Sequence, residues 1–270
     1  MLLTVDLERL DIRPGETLLD AGCGEGRHCF GALERGARVV GLDLDLASLR
    51  PAVGGLRKRG DELNSLGAML QGNTFHLPFA DETFDKVICS EVMEHVHDYV
   101  AVARELARVT KPGGILAVTI PTATSENIYL RVGDDYFESL GGHIRIFHPR
   151  RLAEGLAKAG LATTGIGFAH ALHTPYWVLR SIAQLPRADE SALVRAYRLF
   201  LIRATGSRAM TMLENLLNYC FPKSLILYAE KRAPVGTGSQ APEGRAQRGE
   251  AERSGVVRAL PGPGPHGFAA

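Results

Sequence analysis

The stretch TLLDAGCGEGRHCFGALERGARVVGLD, residues 17–43, decides which fold the sequence predicts. An apolar run enters the segment Gly22-Cys23-Gly24-Glu25-Gly26, as expected of a buried parallel strand whose carboxyl end opens onto a ligand. Glycines at such a turn let the backbone bend tightly and let a ligand approach closely. A helical segment and a second apolar run that ends in Asp43 follow. The pattern predicts a strand, a turn, a helix and a second strand with a carboxylate at its tip.

The carboxylate at the end of the second strand points to a nucleoside-containing cofactor. Asp43 can accept hydrogen bonds from both hydroxyls of a ribose, as in nucleotide-binding α/β sheets. The glycines follow G-x-G-x-G, whereas a dinucleotide loop follows G-x-G-x-x-G, and Arg27 stands where its third glycine belongs. Asp20 beside the loop would repel a pyrophosphate and attract a cationic amino group. These features favour a cofactor that carries an amino acid over a nicotinamide dinucleotide.

Motifs further along the chain resemble one enzyme family in the same order. The D-x-G-x-G-x-G segment that begins at Asp20 resembles motif I of the class I S-adenosylmethionine-dependent methyltransferases. Residues 72–79 (GNTFHLPF) and 84–96 (FDKVICSEVMEHV) are similar to the third and fourth strand regions of its small-molecule branch. Residues 111–114 (KPGG) are similar to its lead-in to strand five. The resemblance is to the group that contains the ubiquinone and menaquinone biosynthesis methyltransferases, the methyltransferase type 11 group.

The resemblance implies a Rossmann-like α/β fold. We expect a seven-stranded, mostly parallel sheet with helices on both faces and an antiparallel last strand. Residues 1–232 would form the methyltransferase domain, with a helical cap at about 172–222 between strands six and seven, where the family has a short hairpin. Residues 233–270 are rich in glycine and proline and poor in aromatic residues, so we expect a disordered tail there.

The resemblance also assigns the cofactor S-adenosyl-L-methionine to the carboxyl ends of the first, second and fourth strands. Asp20 and the glycine loop would hold its methionine part, Asp43 would bind the ribose and Leu44 would pack on the adenine. Asn73, where the family usually has aspartate, keeps an acceptor oxygen for the adenine amino group. The expected cofactor contacts are Asp20, Gly22, Cys23, Gly24, Gly26, Asp43, Leu44, Asn73, Thr74 and Ser90.

The methyl acceptor is expected beside the residues that follow the fourth strand. The expected pocket residues are Glu91, His95, Tyr136 and His143. His143 is the best general-base candidate, because an imidazole can be neutral near physiological pH. Glu91, Glu94 and His95 form an E-x-x-E-H set that would share a helix face and could bind a divalent ion together with His143 or His148. We expect these side chains to line the pocket and no metal to be used.

Composition and charge argue against several classes of protein. The formal net charge of +1 gives no general attraction to nucleic acid, and we expect no nucleic-acid partner. The four cysteines lack C-x-x-C or zinc spacing. The N-terminus has acids at Asp6 and Glu8 and no long apolar core, unlike a secretory signal. The expected location is a reducing cytoplasm.

The cap between strands six and seven is expected to determine the substrate. Arginines outnumber acids between Thr174 and Cys220, and aromatic residues are interspersed with them. Such a cap can lie on an anionic membrane and receive a lipid-like acceptor. The favoured interpretation is a lid that buries its apolar face on the sheet and leaves its arginines in water.

The sequence therefore predicts methyl transfer to a small-molecule acceptor, lipid-like or quinone-like, by in-line displacement. Three alternatives remain. They are a divalent-metal-assisted O-methyltransferase that uses Glu91, Glu94 and His95, an NAD(P)-binding oxidoreductase, and a non-catalytic protein that binds S-adenosylmethionine.

Overall fold

The computed structural model describes residues 3–132, 143–182, 191–204 and 207–232. Its strands are β1 (Thr17–Ala21), β2 (Arg38–Asp43), β3 (Gly67–Gln71), β4 (Phe84–Ser90), β5 (Thr110–Pro121), β6 (Leu161–Ala169) and β7 (Ser224–Lys231). They form one seven-stranded sheet in the order β3-β2-β1-β4-β5-β7-β6. The first five strands are parallel, and β7 runs antiparallel between β5 and β6. The predicted fold class, including the antiparallel last strand, is confirmed.

Helices of the described residues pack on both faces of the sheet. They are α1 (Arg27–Leu33), α2 (Leu46–Arg57), α3 (Asp61–Ser65), α4 (Tyr99–Val109), α5 (Ala123–Val132), α6 (Pro149–Lys158), α7 (His173–Ile182), α8 (Ala192–Ala204) and α9 (Arg208–Leu217). None of them has the length and apolar character needed to cross a bilayer. Helix α5 lies where the sequence pattern is irregular, and periodicity does not predict it.

The central strands bury side chains on both faces, as parallel strands between helical layers do. On one face, Leu19 and Val87 share a core with Leu106 of α4 and Leu152 of α6. On the other face the core is made by α1, α2 and the N-terminal residues, with Leu18, Ile88, Phe30, Leu33 and Leu49 among its members. Burying a leucine-sized side chain stabilises a fold by about 1.5–3 kcal/mol. These two cores hold the strand ends, and hence the loops after them, in fixed positions.

Helices α7, α8 and α9 form the predicted cap between β6 and β7. The expectation that this cap buries its apolar face is wrong for much of α8 and α9. Val194 and Leu201 are buried. Most of the other large apolar side chains are exposed: Leu193, Leu199, Phe200, Ile202, Met212, Leu213, Leu216, Tyr219 and Phe221. The predicted tail, residues 233–270, lies outside the described residues.

Candidate active site

A cavity of about 590 Å³ opens at the carboxyl ends of the parallel strands. Loops after β1, β2, β3 and β4 contribute its lining, because parallel strands end on one edge of the sheet. The lining residues are Gly22, Gly24, Asp43, Leu44, Gly72, Asn73, Thr74, Phe75, Glu91, Val92, His95, Val96 and His97. The cavity thus brings together six of the ten predicted cofactor contacts.

The glycine loop after β1 passes very close to the side chain of Val92 at one position, Gly22. Gly22 has φ 81°, and a Cβ atom there would lie 2.2 Å from Cγ2 of Val92. Gly24 also has positive φ, but a Cβ atom there would meet nothing within 4 Å. The amides of Gly22 and Cys23 both donate to the carbonyl of Leu42, at 2.7 and 3.0 Å. The loop therefore passes against the β4 loop at Gly22 and leaves open space at Gly24.

Asp43 lies at the carboxyl end of β2, half-buried, and its carboxylate faces the glycine loop. The amide of Gly24 donates to its Oδ2 at 2.7 Å, and the amide of Asp45 donates to its Oδ1 at 2.9 Å. A carboxylate offers about four acceptor sites, so each oxygen can accept a further hydrogen bond. The geometry therefore leaves Asp43 able to receive two hydroxyl groups, as the ribose prediction requires.

The wall beyond Asp43 combines an apolar side chain with a carboxamide. Leu44 is 66% exposed although it lines the cavity. Asn73 Oδ1 accepts a hydrogen bond from the amide of Phe75 at 2.9 Å and retains a second acceptor site. Thr74 also lines this wall. A flat, partly polar ring such as adenine would cover Leu44 and reach the Asn73 oxygen, so these residues fit the predicted adenine end of the cofactor.

Asp20 occupies a different place from the one expected. Its side chain is completely buried behind the loop, and it does not line the cavity. The thiol of Cys29 donates to Asp20 Oδ2 at 3.4 Å, and Nδ1 of His28 lies 4.0 Å from the same oxygen. Burial raises the pKa of Asp20 to about 7, while the Cys29 thiol lowers it. Asp20 therefore faces α1 and does not line the cavity, which corrects the expectation that it meets a cationic amino group directly.

Three other predicted cofactor contacts also lie behind the cavity wall. Cys23 is buried, and its thiol donates to the carbonyl of Gly24 at 3.6 Å. Gly26 precedes α1 with φ 81°, a backbone conformation that favours glycine. Ser90 is buried with its hydroxyl 2.9 Å from that of Thr119. These residues shape the loops after β1 and β4, and the cavity lining does not include them.

The E-x-x-E-H set does not share a helix face. Glu91 has φ 57°, and only Met93–His95 forms a short 3-10 turn before α4. The hydroxyl of Thr119 donates to Glu91 Oε1 at 3.1 Å, and Lys223 Nζ lies 3.4 Å from its Oε2. Glu91 and His95 line the cavity, whereas Glu94 is buried behind them. The turn, rather than a helix, sets these positions, so the helical spacing argument was wrong.

Glu94 belongs to a cluster that contains the predicted His95 and His143 but not the predicted Glu91. Ligand atoms of Glu94, His95 and His143 lie within 4.8 Å of one another, without Glu91. Both carboxylate oxygens of Glu94 are buried and lack a hydrogen-bond partner within the described ranges. Burial and the nearby charge of Glu91 raise the pKa of Glu94 well above its usual value. His148 is instead the N-cap residue of α6, where its Nδ1 accepts from the amide of Arg150.

His143 does not line the cavity but packs behind His95, which does. Its ring packs edge-on against His95 with the centroids 4.8 Å apart, and its Nδ1 lies 3.0 Å from Glu126 Oε2. Glu126 is buried at the start of α5, outside any motif, and no signal in the sequence marks it. Tyr136, the remaining predicted pocket residue, lies outside the described residues.

Comparison with known proteins finds relatives of the segment that carries the cavity. Residues 19–118 match the family model described as a methyltransferase domain. The demethylmenaquinone methyltransferase of Thermobifida fusca (strain YX) is 38% identical over 109 residues, which are 40% of this chain and 45% of that protein. Methyltransferase GfsG of Streptomyces halstedii is 38% identical over 112 residues, 41% of this chain and 40% of that protein. The chain thus spans less than half the length of these relatives.

Solved structures match a larger part of the chain at lower identity. Geranyl diphosphate methyltransferase in complex with S-adenosylmethionine has a TM-score of 0.56 at 19% identity and covers 82% of both chains. The [4+2]-cyclase SpnF has a TM-score of 0.58 at 24% identity, over 84% of this chain and 78% of its own. A cyclase on this fold illustrates that fold alone does not determine a reaction. Residues 19–118 therefore match a methyltransferase domain, and the described part of the chain shares the fold of these solved structures.

Proposed function

We propose that this protein transfers a methyl group to a small-molecule acceptor. The observation that carries the proposal is the pair of Asp43 and exposed Leu44 at the carboxyl end of β2, on the wall of one cavity with the glycine loop. S-adenosyl-L-methionine would supply a methyl group on a positively charged sulfur. Asp43 would bind the ribose, Leu44 and Asn73 the adenine, and the backbone at Gly22 and Gly24 the amino-acid end.

The residues after β4 would receive the acceptor. Glu91 and His95 line the cavity together with two apolar neighbours, Val92 and Val96. Their task is to align the acceptor and exclude water, which can supply most of the acceleration when the electrophile is already reactive. Glu91 is held by Thr119 and Lys223, so its carboxylate has a defined direction.

We further propose His143 as the base for an acceptor that must lose a proton. Its support is the buried Glu126, whose Oε2 lies 3.0 Å from Nδ1 and orients the ring. A base oriented by a carboxylate is a recurring arrangement for proton transfer. Because His95 lies between His143 and the cavity, the proton would pass from the acceptor through the His95 ring or one bridging water to a ring nitrogen of His143, and Glu126 would stabilise the resulting imidazolium.

The proposed function is tested first by ligand binding. S-adenosylhomocysteine is expected to raise the melting temperature of the purified protein, because a ligand that binds the native state stabilises it, whereas NADH is expected to leave it unchanged. The reverse result would support a nicotinamide oxidoreductase instead.

Turnover is then measured as labelled methyl transferred to metabolites of a cell extract. His143→Ala should lower this transfer while S-adenosylhomocysteine still binds. Binding without any methylated product would identify a non-catalytic binding protein, and loss of transfer on adding a chelator would favour a metal-assisted reaction.

We propose that the acceptor is lipid-like and that the cap contacts an anionic bilayer. Met212 is 73% exposed and Tyr219 is 82% exposed, and exposed arginines on α8 and α9 include Arg198, Arg203 and Arg208. Apolar side chains interspersed with arginines are typical of helices that lie in the interface of an anionic membrane. The name of one relative adds support, since a demethylmenaquinone methyltransferase is named for a quinone.

Vesicle binding measures this contact. The protein should sediment with phosphatidylglycerol vesicles and not with phosphatidylcholine vesicles, and added salt should weaken the binding. The double variant Met212→Ser, Tyr219→Ser should lose it, whereas Ile166→Ser, which changes an exposed apolar residue on β6, should keep it. The proposal would be contradicted if the protein bound no anionic vesicles and its molecular mass in solution rose with its concentration. That result would show that a second copy of the chain covers the cap.

We also propose a cytoplasmic location, since all four cysteines are free thiols and three of them are buried. Fractionation of cells that express the protein would test it, and recovery outside the cytoplasm would contradict it.

A further inference from the structure

A second group of potential metal ligands lies where the cap meets the sheet. His170 follows β6, His173 is the first residue of α7 and Glu214 lies on α9. Each offers one ligand atom, and these atoms lie within 4.8 Å of one another. None of the three lines the cavity at the strand ends, and the proposed methyl transfer uses none of them. Imidazole nitrogens and a carboxylate are a ligand set that Zn²⁺ accepts.

Two polar atoms in this group are buried without hydrogen-bond partners. His173 Nδ1 lies 4.0 Å from Glu214 Oε1, too far for a hydrogen bond. Both atoms are among those that find no partner in the part of the chain that the structure describes. Leaving a buried polar group unsatisfied costs about 1–3 kcal/mol, so such groups call for an explanation. A cation bound between them would satisfy both at once.

The surrounding contacts hold the three side chains in place. Nε2 of His170 lies 2.9 Å from the hydroxyl of Thr4, and its ring packs against that of His173 with the centroids 5.3 Å apart. Hydrogen bonds from outside a site orient ligating histidines in this way. Asn218, at the end of α9, accepts from the amide of Ala171 at 2.9 Å, so α9 is fixed to the same turn.

The turn that carries His170 and His173 is also where the rest of the cap is attached. Tyr197 of α8 donates to the carbonyl of Leu172 at 3.0 Å. Thr174 donates to the carbonyl of Phe221 at 3.1 Å. An ion bound here would therefore connect the end of β6, the start of α7 and the middle of α9 at a single point.

We propose that His170, His173 and Glu214 bind one divalent transition-metal ion, with Zn²⁺ as the expected ion, and that this ion fastens the cap to the sheet. Three protein ligands leave a fourth position for water in a tetrahedral site. The ion stabilises the position of the cap, and cofactor binding in the cavity at the strand ends does not use its ligands.

Metal titration of the full-length chain tests the proposal. Protein stripped with EDTA should bind one equivalent of Zn²⁺ and gain melting temperature, and Co²⁺ in its place should give the absorption bands of a tetrahedral site. Glu214→Gln and His173→Ala should each weaken binding by at least about tenfold. The matched control is Glu94→Gln, which changes the other cluster and should retain the site.

Binding of S-adenosylhomocysteine is measured on every variant. It should be unchanged, which separates a failure of the metal site from a failure of the proposed function and also confirms that the variant is folded. The proposal is overturned if the wild type binds no zinc. It is equally overturned if Glu94→Gln removes the bound ion while Glu214→Gln keeps it.

Discussion

Asp43→Ala is expected to weaken S-adenosylhomocysteine binding by at least about 100-fold. Two hydrogen bonds from ribose hydroxyls to a carboxylate would be lost, each worth roughly 1.5–3 kcal/mol, and about 1.4 kcal/mol corresponds to a factor of ten. The substitution also removes the acceptor for the Gly24 amide at 2.7 Å, so the loop loses an anchor. Isothermal titration calorimetry with S-adenosylhomocysteine measures the loss directly.

Asp45→Ala is the matched control, since it removes a carboxylate two residues away. Asp45 caps α2 by accepting from the amides of Ala47 and Ser48, both at 3.0 Å. Loss of such a cap costs about 1 kcal/mol of folding stability, so Asp45→Ala should melt earlier and bind with unchanged affinity. Wild-type affinity in Asp43→Ala, or an equal loss in both variants, would contradict the assignment of Asp43 to the ribose.

Gly22→Ala is expected to abolish most cofactor binding and to lower the melting temperature. An L-residue at φ 81° costs roughly 1–2 kcal/mol. The added Cβ would lie 2.2 Å from Val92 Cγ2, so the loop or the β4 segment would have to move. Both segments line the cavity, and the displacement should therefore reach the cofactor. Calorimetry and thermal melting report the two effects.

The controls for Gly22→Ala separate strain from collision. Gly24→Ala also introduces a side chain at positive φ, but into open space, so it should lose stability from strain and retain more affinity. Adding Val92→Ala to Gly22→Ala removes the colliding methyl group and should restore part of the binding. If the double variant binds no better than Gly22→Ala alone, the collision with Val92 is not the cause.

Local pattern predicted the unit at residues 17–43. The expected strand, glycine turn, helix and second strand are β1, the loop after it, α1 and β2. Asp43, Leu44 and Asn73 line the cavity because they follow the ends of strands, and the ends of parallel strands meet on one edge of the sheet.

Asp20 is adjacent to the glycine loop in sequence, yet its buried side chain does not line the cavity. Side chains alternate along a strand, so Asp20 points to the same side as Leu18, towards α1 and its Cys29. Period-two alternation was available in the sequence and would have predicted this. For Glu91, Glu94 and His95 no such signal existed, because the positive φ of Glu91 and the short turn after it follow from packing against β5.

The sequence by itself determined the β1–α1–β2 unit with its glycine loop and the acidic end of β2, because each of these follows from residues a few positions apart. Only the tertiary structure decided which distant side chains meet. It brought His143 to Glu126 and His95, and His170 and His173 to Glu214. These long-range contacts depend on how the sheet and helices pack around the two cores. Neither residue type nor local spacing along the chain specifies that packing.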